Sequence, residues 1–185
     1  MDINKILDIR ALLEPDEKIM LYALVRGLRP TNILEIGSAF GGSARIIHQA
    51  MLANGCGNLH CVDINPQPEL EVFVDALPDV ALIKGSSWDL YASRRDTEAN
   101  ILFDFVFIDG DHSYRGVKQD IECALSMSEL GAVLLFHDAH NPEVKRAISD
   151  SLHYFGVDCG ILTVHAPVDK NTNTTWGGLR MLRLK

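Results

Sequence analysis

The sequence predicts an open α/β sheet wound with helices on both faces, and three observations carry that prediction. Apolar runs alternate with helical patterns five times along the chain, the order that a parallel sheet with covering helices requires. Residues 132–136 form a continuous apolar run, as expected of a central strand buried on both faces. The run Ile33-Leu34-Glu35-Ile36 ends in a turn with Gly37, Gly41 and Gly42, followed by Ile46, Ile47, Ala50 and Met51 on one helical face. The last two strands lack an intervening helix, so an antiparallel edge strand is expected on a sheet of about seven strands, mostly parallel.

The elements follow in order. Residues 1–28 read as an N-terminal helical segment packing on one domain, 1–185. Ile3, Ile6 and Leu7 make a short stripe. Pro15, Asp16 and Glu17 then open a second helix that runs through Val25 and is closed by Gly27 and Pro30. Strand 32–36 leads to helix 43–53, stopped by Asn54-Gly55. Strand 59–63 follows, then a helix marked by Leu70, Phe73, Val74 and Leu77, strand 80–83 and a helix over 88–98. Strand 103–108 breaks at Asp109-Gly110-Asp111. The next helix carries Val117, Ile121, Ala124 and Leu125 and ends at Gly131. Asn141-Pro142-Glu143 supplies an N-cap, a proline at the first helical position and an early acid, with Val144, Ile148, Leu152 and Phe155 striping that helix until Gly156. Strands near 159–165 and 178–184 are joined by a polar loop at 169–173.

Composition narrows the function. A formal charge of −8 argues against a nucleic-acid partner, which calls for a basic face. No apolar run approaches the ~18 residues of a membrane span, and Asp2, Lys5 and Asp8 leave no signal-peptide core. Cys56, Cys61, Cys123 and Cys159 lack C-x-x-C spacing and read as reduced structural thiols. A cytoplasmic protein without membrane or nucleic-acid partners is expected.

In an open sheet, ligands sit beyond the carboxyl ends of the strands. Five such ends carry small or polar residues: Glu35 to Gly37, Asp63, Ser86-Ser87, Asp109 to Asp111, and His137-Asp138. Each is compatible with ordinary turn or cap chemistry; their convergence on one rim points to a site. A dinucleotide fingerprint would place glycine two and five positions after Gly37; Gly42 fits and Ala39 does not. Asp63, at the end of the second strand, suits the two hydroxyls of a ribose. Glu35, before the glycine turn, would repel a pyrophosphate and suits a cationic sulfonium and amino group.

The stretch E-I-G-S-A-F-G-G-S-A at 35–44 resembles the first motif of class I S-adenosylmethionine-dependent methyltransferases, especially metal-dependent O-methyltransferases of the catechol type. F-I-D-G-D-H-S-Y-R-G-V-K-Q-D at 107–120, with F-H-D at 136–138, resembles a bacterial branch that includes sugar-modifying enzymes. The resemblance covers about residues 15–150 and implies a Rossmann-like methyltransferase domain. It implies that Gly37, Ser38 and Gly41 cradle the methionine part of the cofactor and that Ser43 holds its carboxylate. It places Asp63 on the ribose, and Ser87 and Trp88 about the adenine. Asp109 would border the cofactor and, with His137 and Asp138, bind a divalent metal. His137 departs from the catechol enzyme's pattern, as does His112, which stands where that relative has a catalytic lysine.

These residues suit the chemistry. A hydroxyl is a poor nucleophile until its proton is removed; a cation on Asp109 and Asp138 would act as Lewis acid, and His112, with an ordinary pKa of ~6.5, would accept the proton. A first-shell histidine suits Mn²⁺, Fe²⁺ or Zn²⁺ better than Mg²⁺. Asp111, His112 and Ser113 also read as a helix cap, and His137-Asp138 as a hydrogen-bonded strand end. Trp176 reads either as a wall of the acceptor pocket or as an edge-strand aromatic. With no large insertion for a lid, the acceptor pocket needs walls from residues 1–15, the 166–178 loop or another subunit; relatives of this kind imply a homodimer. The expected function is methyl transfer to a small-molecule hydroxyl. A non-catalytic nucleoside-binding module and an NAD-dependent oxidoreductase are the alternatives.

Overall fold

The computed structural model describes residues 3–94, 101–163, 168–169 and 174–185. Among the described residues, one sheet holds seven strands, β1 (Asn32–Ile36), β2 (Asn58–Asp63), β3 (Val80–Lys84), β4 (Phe103–Ile108), β5 (Ser128–Phe136), β6 (Phe155–Ile161) and β9 (Arg180–Leu184), while β7 (Val168–Asp169) and β8 (Thr174–Thr175) pair separately. The order across the sheet is β3-β2-β1-β4-β5-β9-β6. β3, β2, β1, β4 and β5 run parallel. As the missing helix predicts, the last two strands of the sheet pair antiparallel at that edge; β9 is slotted between β5 and β6, antiparallel to both.

Helices α1 (Asn4–Leu7), α2 (Pro15–Leu28), α3 (Gly42–Asn54) and α4 (Pro68–Asp75) precede α5 (Ser87–Arg94), α6 (Tyr114–Met127) and α7 (Pro142–Ser149). Strand side chains alternate between two cores. Ile33, Leu59, Phe105, Phe107 and Leu135 meet Leu21 and Val25 of α2, Ile46, Ile47 and Ala50 of α3 and Leu70 of α4. Leu34, Ile36, Val62, Val106, Ile108, Leu134 and Phe136 meet Leu90, Val117, Ile121, Ala124, Val144 and Ile148. Phe103, Phe105, Phe107 and Phe136 are fully buried, each worth about 1.5–3 kcal/mol of transfer free energy.

Several boundaries differ from the sequence expectation. α2 runs on to Leu28 and is closed by Arg29 in the left-handed region, φ 53°, with Gly27 inside its last turn. α4 stops at Asp75, short of Leu77. α6 gives way to β5 directly at Ser128, so Gly131 lies within a strand (φ 83°), where the β4 pairing shifts register. α7 ends at Ser149; a 3₁₀ turn over Leu152–Tyr154 then turns Phe155 into the edge strand β6. Periodicity misplaced Phe155 because a helix followed by a short turn keeps the same face apolar for one more step. Residues 95–98 of the fifth expected helix, 164–165 of the penultimate strand and 170–173 of the polar loop lie outside the described residues.

Candidate active site

The rim is assembled by backbone hydrogen bonds that continue the ladder one residue past each strand. His137 N–H donates to the Ile108 carbonyl at 3.0 Å, Asp109 N–H to Ile36 at 2.8 Å, Gly37 N–H to Val62 at 2.9 Å and Gly85 N–H to Asp63 at 2.9 Å. The ends of β5, β4, β1, β2 and β3 are thereby fixed along one crevice, next to the point where strand order reverses. A cavity of about 1100 Å³ opens above it, lined by Gly37, Asp63, Ser87, Trp88, Asp109 and His112 among others.

At the β1–β2 end the geometry is largely backbone. Gly37 (φ 88°) is required twice over, since a Cβ there would lie 2.1 Å from the Asp109 carbonyl oxygen. Ala39 takes a left-handed φ of 46°, which costs an L-residue roughly 1 kcal/mol, and its N–H donates to Asp63 Oδ2 at 2.7 Å. Asp63 Oδ1 accepts from Asn65 N–H at 2.7 Å. A carboxylate has about four acceptor sites, so Asp63 keeps capacity for a diol. Ser87, buried, donates its hydroxyl to Asp120 Oδ1 at 2.6 Å. Burial pushes the Asp120 carboxyl up to about 6, against the pull of Ser87. Trp88 is half exposed and tilts against Tyr91, centroids 5.4 Å apart.

Glu35, Ser38, Gly41 and Ser43 do not border the cavity; they lie buried behind the glycine turn. The Gly42 Cα sits so close to residues 10 and 11 that a Cβ would meet Ala11 Cα at 2.6 Å, which covers the first turn of α3. Burial pushes the Glu35 carboxyl up to about 7, with Ser38, Ser43 and Cys61 pulling it back. It is therefore only half ionised near neutral pH, a weaker counter-charge to a sulfonium than a fully ionised carboxylate.

The β4–β5 end is built from ionisable side chains in mutual contact. His137 Nδ1 lies 2.9 Å from Asp109 Oδ1 and 3.5 Å from Asp138 Oδ2. His112 Nε2 lies 3.0 Å from Asp138 Oδ2 and 3.4 Å from Asp109 Oδ1. Asp138, in the left-handed region at φ 52°, accepts through Oδ1 from the Gly177 N–H. The His112 ring meets the edge of Trp176 at 5.9 Å, which places that tryptophan beside the cluster. Hydrogen bonds to Asp109 and Asp138 raise His112 to about 9. Burial lowers His137, but the Asp109 charge and hydrogen bonds to Asp109 and Glu17 outweigh it, for a net rise to about 11. Burial raises Asp109 and Asp138, and the two imidazoles bring both below the usual carboxylate range.

One member escaped the sequence reading. Glu17, on α2 and 1% exposed, lies with Oε2 3.1 Å from His137 Nε2. Its carboxylate also accepts from Glu14 N–H at 2.9 Å and from Gly178 N–H at 2.6 Å. In the sequence it registers only as the acid of a helix start, which is also true: it completes a capping box with Glu14.

The topology and the cavity over the strand ends define the fold of class I S-adenosylmethionine-dependent methyltransferases. Comparison with known proteins agrees: the profile of the family described as "Methyltransferase domain" matches residues 34–139, and the chain belongs to that family. Among solved structures, the chain is similar to an O-methyltransferase from Bacillus cereus in complex with SAH (TM-score 0.65, 19% identity, covering 98% of this chain and 86% of that one). It is similar to the O-methyltransferase TomG from Streptomyces achromogenes, in complex with SAM (TM-score 0.68, 18% identity, 99% and 89%). It is also similar to the N-methyltransferase NodS from Bradyrhizobium japonicum with S-adenosyl-L-homocysteine (TM-score 0.63, 16% identity, 98% and 96%). At these identities the likeness is one of fold, and the fold serves both oxygen and nitrogen acceptors. No curated protein matches the chain in sequence. Among the described residues no helix is long and apolar enough to cross a membrane.

Proposed function

We propose that the chain binds S-adenosylmethionine and transfers its methyl group to a hydroxyl of a small molecule, with a divalent cation at the β4–β5 end of the cavity. The observation that carries this reading is the continuity of the cavity, which reaches from Asp63 and Trp88 to Asp109 and His112. Methyl transfer is a direct displacement, so donor carbon and acceptor oxygen must share one enclosure. In this reading Asp63 takes the ribose, Ser87 and Trp88 bracket the adenine, and Gly37 lets the methionine part approach the backbone. Ser38, Gly41 and Ser43 shape the turn from behind.

An oxygen is favoured over nitrogen because a hydroxyl must lose its proton to attack, whereas a neutral amine need not. The cluster provides for that loss. Asp109, His137 and Asp138 bring one imidazole nitrogen and two carboxylate oxygens within 4.8 Å of one another, a donor set that fits Mn²⁺, Fe²⁺ or Zn²⁺. When bound, such an ion supplies Lewis acidity that lowers the pKa of the acceptor hydroxyl. His112, a third exposed at the cavity wall, is the proton acceptor, oriented by Asp138. Without a cation its two carboxylate partners hold its pKa at about 9; a cation on Asp109 and Asp138 would withdraw that support and bring the imidazole down toward neutral pH, where it can accept a proton. Four free cysteines accord with a reducing, cytoplasmic setting. The homodimer belongs to the same reading and is tested by light scattering.

Calorimetry with S-adenosylhomocysteine tests the core of the proposal. Saturable binding is expected, weakened about tenfold or more in Asp63→Ala. Absence of saturable binding at millimolar ligand overturns it.

A further inference from the structure

The ring of His137 has two nitrogens with different surroundings. Nδ1 faces Asp109 and Asp138. Nε2 faces Glu17 Oε2 at 3.1 Å on the other side of the ring. Glu17 is not free to move: Glu14 N–H and Gly178 N–H hold its two oxygens at 2.9 and 2.6 Å. It thus receives three N–H donors in a place where it is 1% exposed, and it joins three parts of the chain far apart in sequence. These are the start of α2, the end of β5 and the loop that leads into β9.

From this geometry we propose that Glu17 is a positioning residue that selects Nδ1 of His137 as the nitrogen offered to the cation. Its bond to Gly178 ties that selection to the loop carrying Trp176 against His112. The inference rests on the metal reading above, and adds which nitrogen binds and what decides it. A carboxylate that fixes the far nitrogen of a ligand histidine sets the ring's tautomer and orientation. Glu17 itself stays off the cation, because the ring stands between them and both oxygens already serve backbone donors. The amide of Glu17→Gln cannot reproduce the arrangement. It has one acceptor oxygen, and its NH₂ group would face an N–H donor at Gly178 or at Glu14 and His137.

The test begins with wild-type protein labelled with ¹⁵N-histidine. On titration with Zn²⁺ the His137 Nδ1 resonance should move to the metal-bound position while the Nε2–H proton persists, shielded from exchange. Loss of the Nε2 proton with Nε2 metallated overturns the proposal. In Glu17→Gln the Nε2–H signal should disappear and the Mn²⁺ dissociation constant, read by electron paramagnetic resonance, should rise about 10–100-fold. S-adenosylhomocysteine affinity should stay within about twofold, because Asp63 and Gly37 are untouched. Should that variant fail to fold, Glu17→Asp keeps the charge and withdraws it from His137, and the same loss of Mn²⁺ affinity is expected. A folded variant with wild-type Mn²⁺ affinity overturns the proposal. A wild-type protein that takes up S-adenosylhomocysteine and neither Zn²⁺ nor Mn²⁺ overturns the metal reading, and this proposal with it, while leaving the cofactor assignment standing.

Discussion

Glu35, buried, and Asp109, partly buried, are acids at the carboxyl ends of β1 and β4, two strands paired side by side, yet their surroundings drive them in opposite directions. Among the described residues Glu35 has no cation beside it, and neither oxygen makes a hydrogen bond of good geometry; burial takes its carboxyl up to about 7. Asp109 suffers burial too, but His137 and His112 more than offset it and its pKa falls. Burial alone therefore does not say what an acid at this rim does; the neighbouring imidazoles decide it. The β1–β2 end of the crevice is shaped largely by backbone about the Asp63 carboxylate, and the β4–β5 end is a dense set of ionisable side chains in contact.

The strongest way to break the contrast is to remove its cation. His137→Ala leaves the buried Glu17 without its imidazole partner and Asp109 and Asp138 with His112 alone, and the loss is expected to be about 3–5 kcal/mol. Urea unfolding at neutral pH measures it, and an unchanged midpoint would mean that the charge pairing contributes nothing.

Glu35→Gln should act with the opposite sign. The folded pKa of Glu35 is raised from 4.5 to about 7, so ionisation opposes folding. The penalty is absent below the unfolded value, grows between pH 4.5 and 7 and is complete above that. The variant should gain on the order of 1–3 kcal/mol above pH 7 and almost nothing at pH 4, read as melting temperature against pH. A gain of equal size at both pH values would assign the effect to packing instead.

A smaller effect sharpens the picture at His112. Its folded pKa of about 9 means that the stabilisation from its two carboxylates is full below pH 6.5 and fades as the pH rises through 9. In metal-free protein the ring should titrate near pH 9 by NMR. Asp138→Asn should lower that midpoint by about one unit; no shift would remove Asp138 as the group that holds the ring.

Much of this arrangement could be read in the sequence because it is local. The glycine turn after Ile36, the acid at Asp63 and the Asp109–His112 and His137-Asp138 pairs each follow an apolar strand directly, and a parallel sheet places such positions on one side. Glu17 could not be read, because the contact that matters joins it to a residue 120 positions away, and its immediate neighbours explain it fully as a helix start. The insertion of β9 between β5 and β6 was hidden for the same reason: alternation along a strand reports which face is buried, not which neighbour it pairs with. Gly131 misled because glycine marks both a helix end and an irregular strand.

The placement of β9 has a consequence for the order in which the enzyme is made. Gly177 and Gly178, which hold Asp138 and Glu17, come immediately before β9, and every other strand of the sheet precedes it in the chain. A nascent chain leaving the ribosome can lay down β1 to β5 and bury most of both cores while these anchors are still inside the exit tunnel. Until they emerge, the pocket has its floor and lacks the two N–H donors that hold Asp138 and Glu17 in place.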